Sequence, residues 1–276
     1  MLGHKAFELL NLNDKYEVFG TLRNEKDIKK YFSESKNSRN IFSGIDALNL
    51  NTVLALIDKL SPDLVLNCIG IIKQLKESHN ALLSIEVNSL FPHKLAAHLE
   101  GSKTRLIHIS TDCVFSGEKG YYVEADYSDA KDLYGKTKFL GELKSYKNSI
   151  TLRTSIIGPE LKGKVSLLEW FIAQKESVNG YTNAIYSGFP TTELINIIEN
   201  YIIPNPTFSG LYNVSSIPIN KYELLKIVAK VYNIQIIINP FNEFKNDKSL
   251  NCNKFISDFK FKQKTWPQMI LEMQLS

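Results

Sequence analysis

The sequence predicts an α/β fold built on a parallel sheet, and three stretches carry that prediction. Asp63–Ile72 is a nearly continuous apolar run, the pattern of a strand buried on both faces. Leu106-Ile107-His108-Ile109 is a second apolar run, and it ends in the polar triplet Ser110-Thr111-Asp112. Ligands bind at strand ends in open α/β sheets, so the triplet marks a candidate site. A Gly-containing loop then leads into a helical segment carrying Tyr134 and Lys138, which are four residues apart and share one helix face.

The remaining elements follow in order. Met1–Leu10 has the periodicity of an amphipathic helix, and Tyr16–Thr21 reads as a strand. Lys26–Asn40 is polar and forms a helix or a loop. Ile41-Phe42 precedes Gly44-Ile45-Asp46, and Thr52–Lys59 is helical. Ile85–Glu100 is a long helix in which Pro92 predicts a kink or the true start. Its histidines, His93 and His98, belong on the helix surface. Ser149–Thr154 and Leu211–Ser215 read as strands; Thr191–Tyr201, Lys221–Tyr232 and Trp266–Leu275 read as helices. Trp170 is expected in the core. Lys164–Phe171 and Gly180–Thr192 depart from the earlier strand–helix periodicity.

Composition narrows the function classes. A chain of 276 residues, 43% hydrophobic and 22% charged, can bury a sizeable core. A net charge of +4, with lysines spread rather than blocked, gives no footprint for nucleic acid. No apolar run reaches the roughly 18 residues that a membrane span needs, and no leader pattern is read at the start. The expectation is a cytoplasmic protein with no nucleic-acid or membrane partner. The three cysteines, Cys68, Cys113 and Cys252, lack Cys-x-x-Cys spacing and read as reduced thiols. No metal-ligand spacing is found among the His residues.

A tyrosine with a nearby ammonium can serve as an acid/base pair, because the cation favours phenolate and lowers the phenol's pKa. The spacing alone is uninformative in a chain with 13 Tyr and 33 Lys and Arg. It occurs three times, at Tyr127/Lys131, Tyr134/Lys138 and Tyr222/Lys226. Only Tyr134 opens a helix shortly after a strand ending in Ser-Thr-Asp. With Ser110-Thr111-Asp112-Cys113-Val114-Phe115, Tyr122-x-Glu124-x-Asp126 and Tyr134-Gly135-x-Thr137-Lys138-x-x-Gly141-Glu142, the stretch resembles the extended short-chain dehydrogenase/reductases. Within them it is most similar to the dTDP-4-dehydrorhamnose reductase branch, from Met1 to about Trp266.

The resemblance implies a Rossmann-like doubly wound parallel sheet with a smaller C-terminal substrate-binding region. Residues 1–157 would form the NAD(P)-binding part, and 158–276 mainly the substrate-binding part, interleaved with the first. It implies reduction of the 4-keto group of a nucleotide-diphospho-6-deoxyhexose, for surface polysaccharide precursors. Tyr134, Lys138 and Thr111 would be catalytic. Gly3, Arg23, Asp46, Asn67, Cys68, Ile69, Gly70, Tyr134 and Lys138 would face the cofactor, and Thr111, Asp112 and Lys248 the substrate. Asn88 would brace the active-site strand, and Ser187–Thr192 would lie near the sugar. Arg23 favours NADPH over NADH, since arginine suits a 2′-phosphate. Lys248 stands where the family usually has Arg; it offers a point charge without the bidentate fork. A homodimer is compatible with the family.

Two departures stand out. Gly3 matches only the third glycine of the family's Gly-x-x-Gly-x-x-Gly loop, so the first strand and most of that loop are expected to be missing. This reading expects a truncated or late-starting reading frame, or weakened cofactor binding. Dehydratases of this fold carry Asp-Glu where this chain has Thr111-Asp112-Cys113, which argues against a dehydratase or epimerase. A non-catalytic dinucleotide-binding regulatory subunit is the remaining alternative.

Overall fold

The computed structural model describes residues 1–33, 35 and 37–276. The chain begins with α1 (Leu2–Leu10), β1 (Gly20–Thr21), α2 (Glu25–Tyr31), β2 (Ile41–Phe42), α3 (Leu50–Leu60) and β3 (Leu64–Asn67). One helical run follows: α4 (Ala81–Ile85), a π-helical turn at Glu86–Leu90, and α5 (Phe91–Leu99). Next come β4 (Arg105–Thr111), α6 (Leu133–Leu140), β5 (Ser149–Thr154), β6 (Ile156–Ile157), α7 (Leu167–Ile172), β7 (Ser177–Tyr181), β8 (Ala184–Tyr186) and β9 (Phe189–Pro190). The chain ends with α8 (Thr191–Ile197), β10 (Gly210–Asn213), β11 (Ile219–Asn220), α9 (Lys221–Val231), β12 (Ile237–Phe241), β13 (Asn246–Asp247), α10 (Asn253–Phe259) and α11 (Trp266–Leu275).

The main sheet is all-parallel, in the order β10-β5-β4-β3. Helices cover both of its faces, and strand alternation shows why. Leu106 and Ile107 are neighbours in β4 and both are fully buried. Leu106 packs with Val53, Phe91, Leu95 and Leu143 on one face. Ile107 packs with Ile150, Leu194, Phe255 and Ile270 on the other. A parallel sheet needs such double cover, which is why its strands read as continuous apolar runs. Because β10 returns to pair with β5, the C-terminal part of the chain contributes a strand to this sheet.

β1 and β2 form a separate parallel pair, supported by a small cluster of Phe7, Phe32 and Ile41. A third unit, β11-β8-β13, aligns Ile185 with both Asn220 and Asp247. It brings the segment after Asp247, including Lys248, towards the end of β4.

Several expectations change. The strand expected over Tyr16–Thr21 reduces to Gly20–Thr21, and that expected over Asp63–Ile72 to Leu64–Asn67. After Asn67 the backbone leaves the ladder, because the Asn67 side chain accepts a hydrogen bond from the Ile69 amide and starts a turn. Pro92 lies in the first turn of α5, as the helix-start reading expected, although the helical run as a whole begins further upstream. The helix is capped upstream by Asn80, whose side chain accepts from Leu83 N–H. A π turn directly precedes the proline, the kind of local change in pitch that accommodates a missing donor. Trp170 is 38% exposed rather than in the core. Residues 34 and 36 of the polar stretch lie outside the described residues; its first part forms α2.

Candidate active site

The site forms where β4 ends and α6 begins. Asp132 caps α6 by accepting from Gly135 N–H at 2.8 Å and pairs with Lys73 at 2.8 Å. The first turn of α6 is thereby pinned to the segment that follows β3. Gly135 lets the same turn approach the segment after β4: a Cβ there would lie 2.2 Å from the Cys113 carbonyl oxygen. Gly141, at the far end of α6, does the same against the helix before Pro92, with a Cβ position 2.0 Å from the Asn88 carbonyl oxygen.

Asn88 is buried and fully used. It accepts from Ile71 N–H at 2.8 Å, donates to the Ile71 carbonyl at 3.0 Å, and donates to Thr137 Oγ1 at 3.3 Å. Ser89 Oγ donates to the Thr137 carbonyl at 2.8 Å. The π turn therefore ties the loop after β3 to α6.

Lys138 is buried, and its Nζ donates to the Ile109 carbonyl at 2.6 Å. Burial lowers its pKa to about 8, opposed by the charge of Glu142 and by Cys68. A Cβ at Gly70 would come 4.0 Å from Lys138 Nζ, so Gly70 and Lys138 adjoin. Tyr134 has its pKa raised, first by burial and then by Cys113; Thr111 acts in the opposite direction, and Asp112 and Asp132 add to the rise. This reverses the expectation that the neighbouring lysine lowers it. The ammonium is turned to a carbonyl on β4, while the phenol faces a thiol and two carboxylates. Tyr134 is held as the neutral phenol.

Thr111 is buried, accepts from Cys113 N–H at 3.1 Å and donates to Asp112 at 3.3 Å. Asp112 is buried, which raises its pKa, while the charges of Lys248 and Lys221 act to lower it. Lys248 also acts on Cys113 and Asp132. Thr111, Asp112, Tyr134, Lys138, Gly70 and Lys248 are thus brought together. The other two Tyr-x-x-x-Lys pairs are not: Tyr127 is 94% exposed, and Lys226 pairs with Glu223 on α9.

The remaining predicted residues are more dispersed. Asn67 is buried with its side chain turned inward to His108 Nδ1 at 3.1 Å, so it presents no free amide to a ligand. Cys68 is half-buried, its thiol raised to about 12 by burial; Ile69 is 37% exposed. A Cβ at Gly3 would lie 3.6 Å from Cys68 Cβ, so α1 starts against the end of β3. Arg23 and Asp46 sit beyond the ends of β1 and β2, joined by Gly44 N–H to the Arg23 carbonyl at 3.3 Å. Asp46 accepts from Leu48 N–H at 3.0 Å, so its carboxylate serves the turn before α3.

Asp132, absent from the predicted set, has a legible signal in its N-cap spacing to Gly135. Glu142, which ends the Tyr134 motif without a role, and Arg153, within the strand Ser149–Thr154, form a fully buried ion pair at 2.6 Å. No group of metal-binding side chains occurs among the described residues, nor is any helix among them long and apolar enough to cross a membrane.

A family model described as the RmlD substrate binding domain matches residues 17–179. The chain is 28% identical over 188 residues to dTDP-4-dehydrorhamnose reductase of Aggregatibacter actinomycetemcomitans, covering 64% of this chain and 63% of that protein. It is 27% identical over 207 residues to methionine adenosyltransferase 2 subunit beta of Xenopus laevis, covering 70% and 61%. The matches therefore span less than two thirds of these relatives' own length. Among solved structures, dTDP-4-dehydrorhamnose reductase from Bacillus anthracis in complex with NADP superposes with a TM-score of 0.73 at 19% identity, over 90% of this chain and 95% of that one. The fold is Rossmann-like, and the chain belongs to the family defined by the RmlD substrate binding domain.

Proposed function

We propose that this protein is an NAD(P)H-dependent reductase of the 4-keto group of a nucleotide-diphospho-6-deoxyhexose, in the supply of surface polysaccharide precursors. The observation that carries this reading is the half-buried Tyr134, its pKa raised so that it stays a neutral phenol, beside Thr111 at the end of β4, with Lys138 fixed one helical turn away. A reduction needs a proton donor at the carbonyl oxygen, and a phenol held protonated suits that direction.

The residues fit a dinucleotide on its nicotinamide side. Gly70 leaves the space next to Lys138 free of a side chain, and Lys138 would hold ribose hydroxyls. The first turn of α1 has no side-chain cap, so its amide groups suit a phosphate. Arg23 and Asp46 would meet the adenosine end, with NADPH preferred. When bound, the dinucleotide supplies the hydride. Tyr134 gives its proton to the oxygen as the carbonyl carbon is reduced, and Thr111, turning its hydroxyl from Asp112, donates a hydrogen bond to that oxygen as charge develops. Lys248 and the part of the chain after residue 157 would take the sugar nucleotide.

The test is NADPH oxidation in the presence of a dTDP-4-keto-6-deoxyhexose. Tyr134→Phe should lower turnover by about 10²- to 10⁴-fold with little change in substrate affinity. Full turnover in that variant, or none in the native protein, would defeat the reading. A second reading, a cofactor-binding regulatory subunit, is favoured by the match to methionine adenosyltransferase 2 subunit beta. It predicts NADPH binding by calorimetry without turnover of any 4-keto sugar nucleotide.

A further inference from the structure

We propose that the buried Arg153–Glu142 pair is a positioning device that locks α6 to the end of β4 and to the loop beyond it, so that Tyr134 and Lys138 keep station against Thr111. The role of those three residues rests on the proposed function; the mechanical claim does not.

Arg153 lies in β5 and Glu142 just past α6, and both side chains are fully buried. The guanidinium grips the carboxylate in a two-pronged contact, Nε to Oε1 at 2.6 Å and Nη2 to Oε2 at 2.8 Å. Glu142 Oε1 also accepts from Ser110 Oγ at 3.1 Å, and Ser110 directly precedes Thr111 on β4. Glu142 lies four residues after Lys138, in the segment that leaves α6. The same carboxylate thus reaches the strand that carries Thr111 from the helix that carries Tyr134 and Lys138.

The third nitrogen of Arg153 faces the loop. Nη1 donates to the Glu124 carbonyl at 3.4 Å, and the guanidinium lies 5.0 Å from the Phe115 ring centre. Phe115 stacks on Tyr122 at 4.0 Å. The Glu124 carboxylate accepts from Asn213 N–H at 2.9 Å, and the Asn213 side chain donates to the Tyr122 carbonyl at 2.8 Å. One side chain therefore connects β5, β4, α6 and the loop after Asp112, with β10 joined through Glu124.

Stability alone does not explain this arrangement. A buried ion pair costs so much desolvation that an apolar pair of similar volume is often as stable or more so. What an apolar pair lacks is direction: a fork fixes two bonds in one plane, whereas apolar contacts tolerate sliding. A misplacement of about 1 Å can cost about a hundredfold in rate.

The decisive variant is the double substitution Glu142→Leu/Arg153→Met, since Glu142→Leu alone strands the buried guanidinium and Arg153→Met alone leaves the buried carboxylate with only the part-exposed Lys144, at 3.3 Å, as its counter-charge. The double variant should fold with an unfolding midpoint near that of the native protein. In its crystal structure α6 should shift along β4 by about 1 Å, breaking the hydrogen bond from Lys138 to the Ile109 carbonyl, and kcat should fall about a hundredfold while KM for the sugar nucleotide stays nearly constant. Arg153→Lys, which keeps the charge without the fork, should lose kcat similarly. An unmoved α6 in the double variant, or native kcat in Arg153→Lys, overturns the proposal. If the native protein shows no turnover, the proposed function falls, while the displacement of α6 still decides this inference.

Discussion

The two parts of the parallel fold are built to different standards. In the four-stranded part, every β5 residue is buried, and so is every β4 residue except Ile109. In the β1–β2 part each strand has two residues, Thr21 is exposed, and the supporting buried cluster is Phe7, Phe32 and Ile41. Thr111, Tyr134 and Lys138 are mounted on or against the first part; Arg23 and Asp46 belong to the second. On the proposed function, the groups that would need holding to a fraction of an ångström sit on the dense framework. Groups that would grip the far end of a cofactor sit where small displacements matter less. Substitutions in the first part should alter rate, and those in the second affinity and selectivity.

The strongest challenge to that contrast is Lys138→Met, expected to lower kcat/KM by at least about a hundredfold. Its pH dependence sharpens the point. Burial lowers the Lys138 pKa to about 8, and a lysine is charged below its pKa. The native rate should therefore fall as pH rises through about 8, and this alkaline limb should vanish in the variant. An identical limb in both proteins would assign it to another group.

Next in size is the cost of core truncation. Leu152→Ala, in β5, should cost close to ~5 kcal/mol, and Ile41→Ala, in β2, nearer ~2 kcal/mol, both read from urea unfolding. Equal costs would erase the distinction between the two parts. Hydrogen exchange offers the same comparison without substitution: amides of β1 and β2 should exchange well before those of β4 and β5. Arg23→Ser should shift selectivity by about tenfold from NADPH towards NADH, the equivalent of one charge-assisted hydrogen bond. Unchanged selectivity would remove Arg23 from the cofactor's reach. The smallest effect is expected at Lys131, whose pair with Glu118 is largely exposed on both sides. Lys131→Ala should leave midpoint and turnover where they were.

The dense part is readable in the sequence and the thin part is blurred, for physical reasons. Ser149–Thr154 reads as a strand and is one, because continuous burial writes a continuous signal. Tyr16–Thr21 shrinks to two residues because an exposed, short ladder imposes little pattern. Asp63–Ile72 looks like one strand because Ile69, Ile71 and Ile72 are as apolar as Leu64–Leu66; the Asn67 turn that ends it depends on a side-chain hydrogen bond. Trp170 reads as interior because periodicity does not distinguish a packed ring from one at the surface. The cluster at Thr111, Tyr134 and Lys138 is legible because motif spacing and strand-end chemistry coincide. The direction of the Tyr134 shift is not, since it is set first by how deeply the fold seats the phenol and then by Cys113 beside it. The Arg153–Glu142 fork is hidden for a similar reason: two charges eleven residues apart look like surface groups until the fold buries them.

Gly135 in α6 and Gly141 just past its end have a consequence for anyone wishing to make this protein hardier. Replacing helical glycines by alanine is a routine route to thermostability, since it stiffens the unfolded chain and improves helix propensity. Here both ends of the helix abut backbone carbonyls, at Cys113 and at Asn88, with no flexible neighbour to yield. The usual remedy would push α6 away from the backbone it abuts at Cys113 and Asn88, so stabilisation should be sought elsewhere, in the exposed turns far from α6.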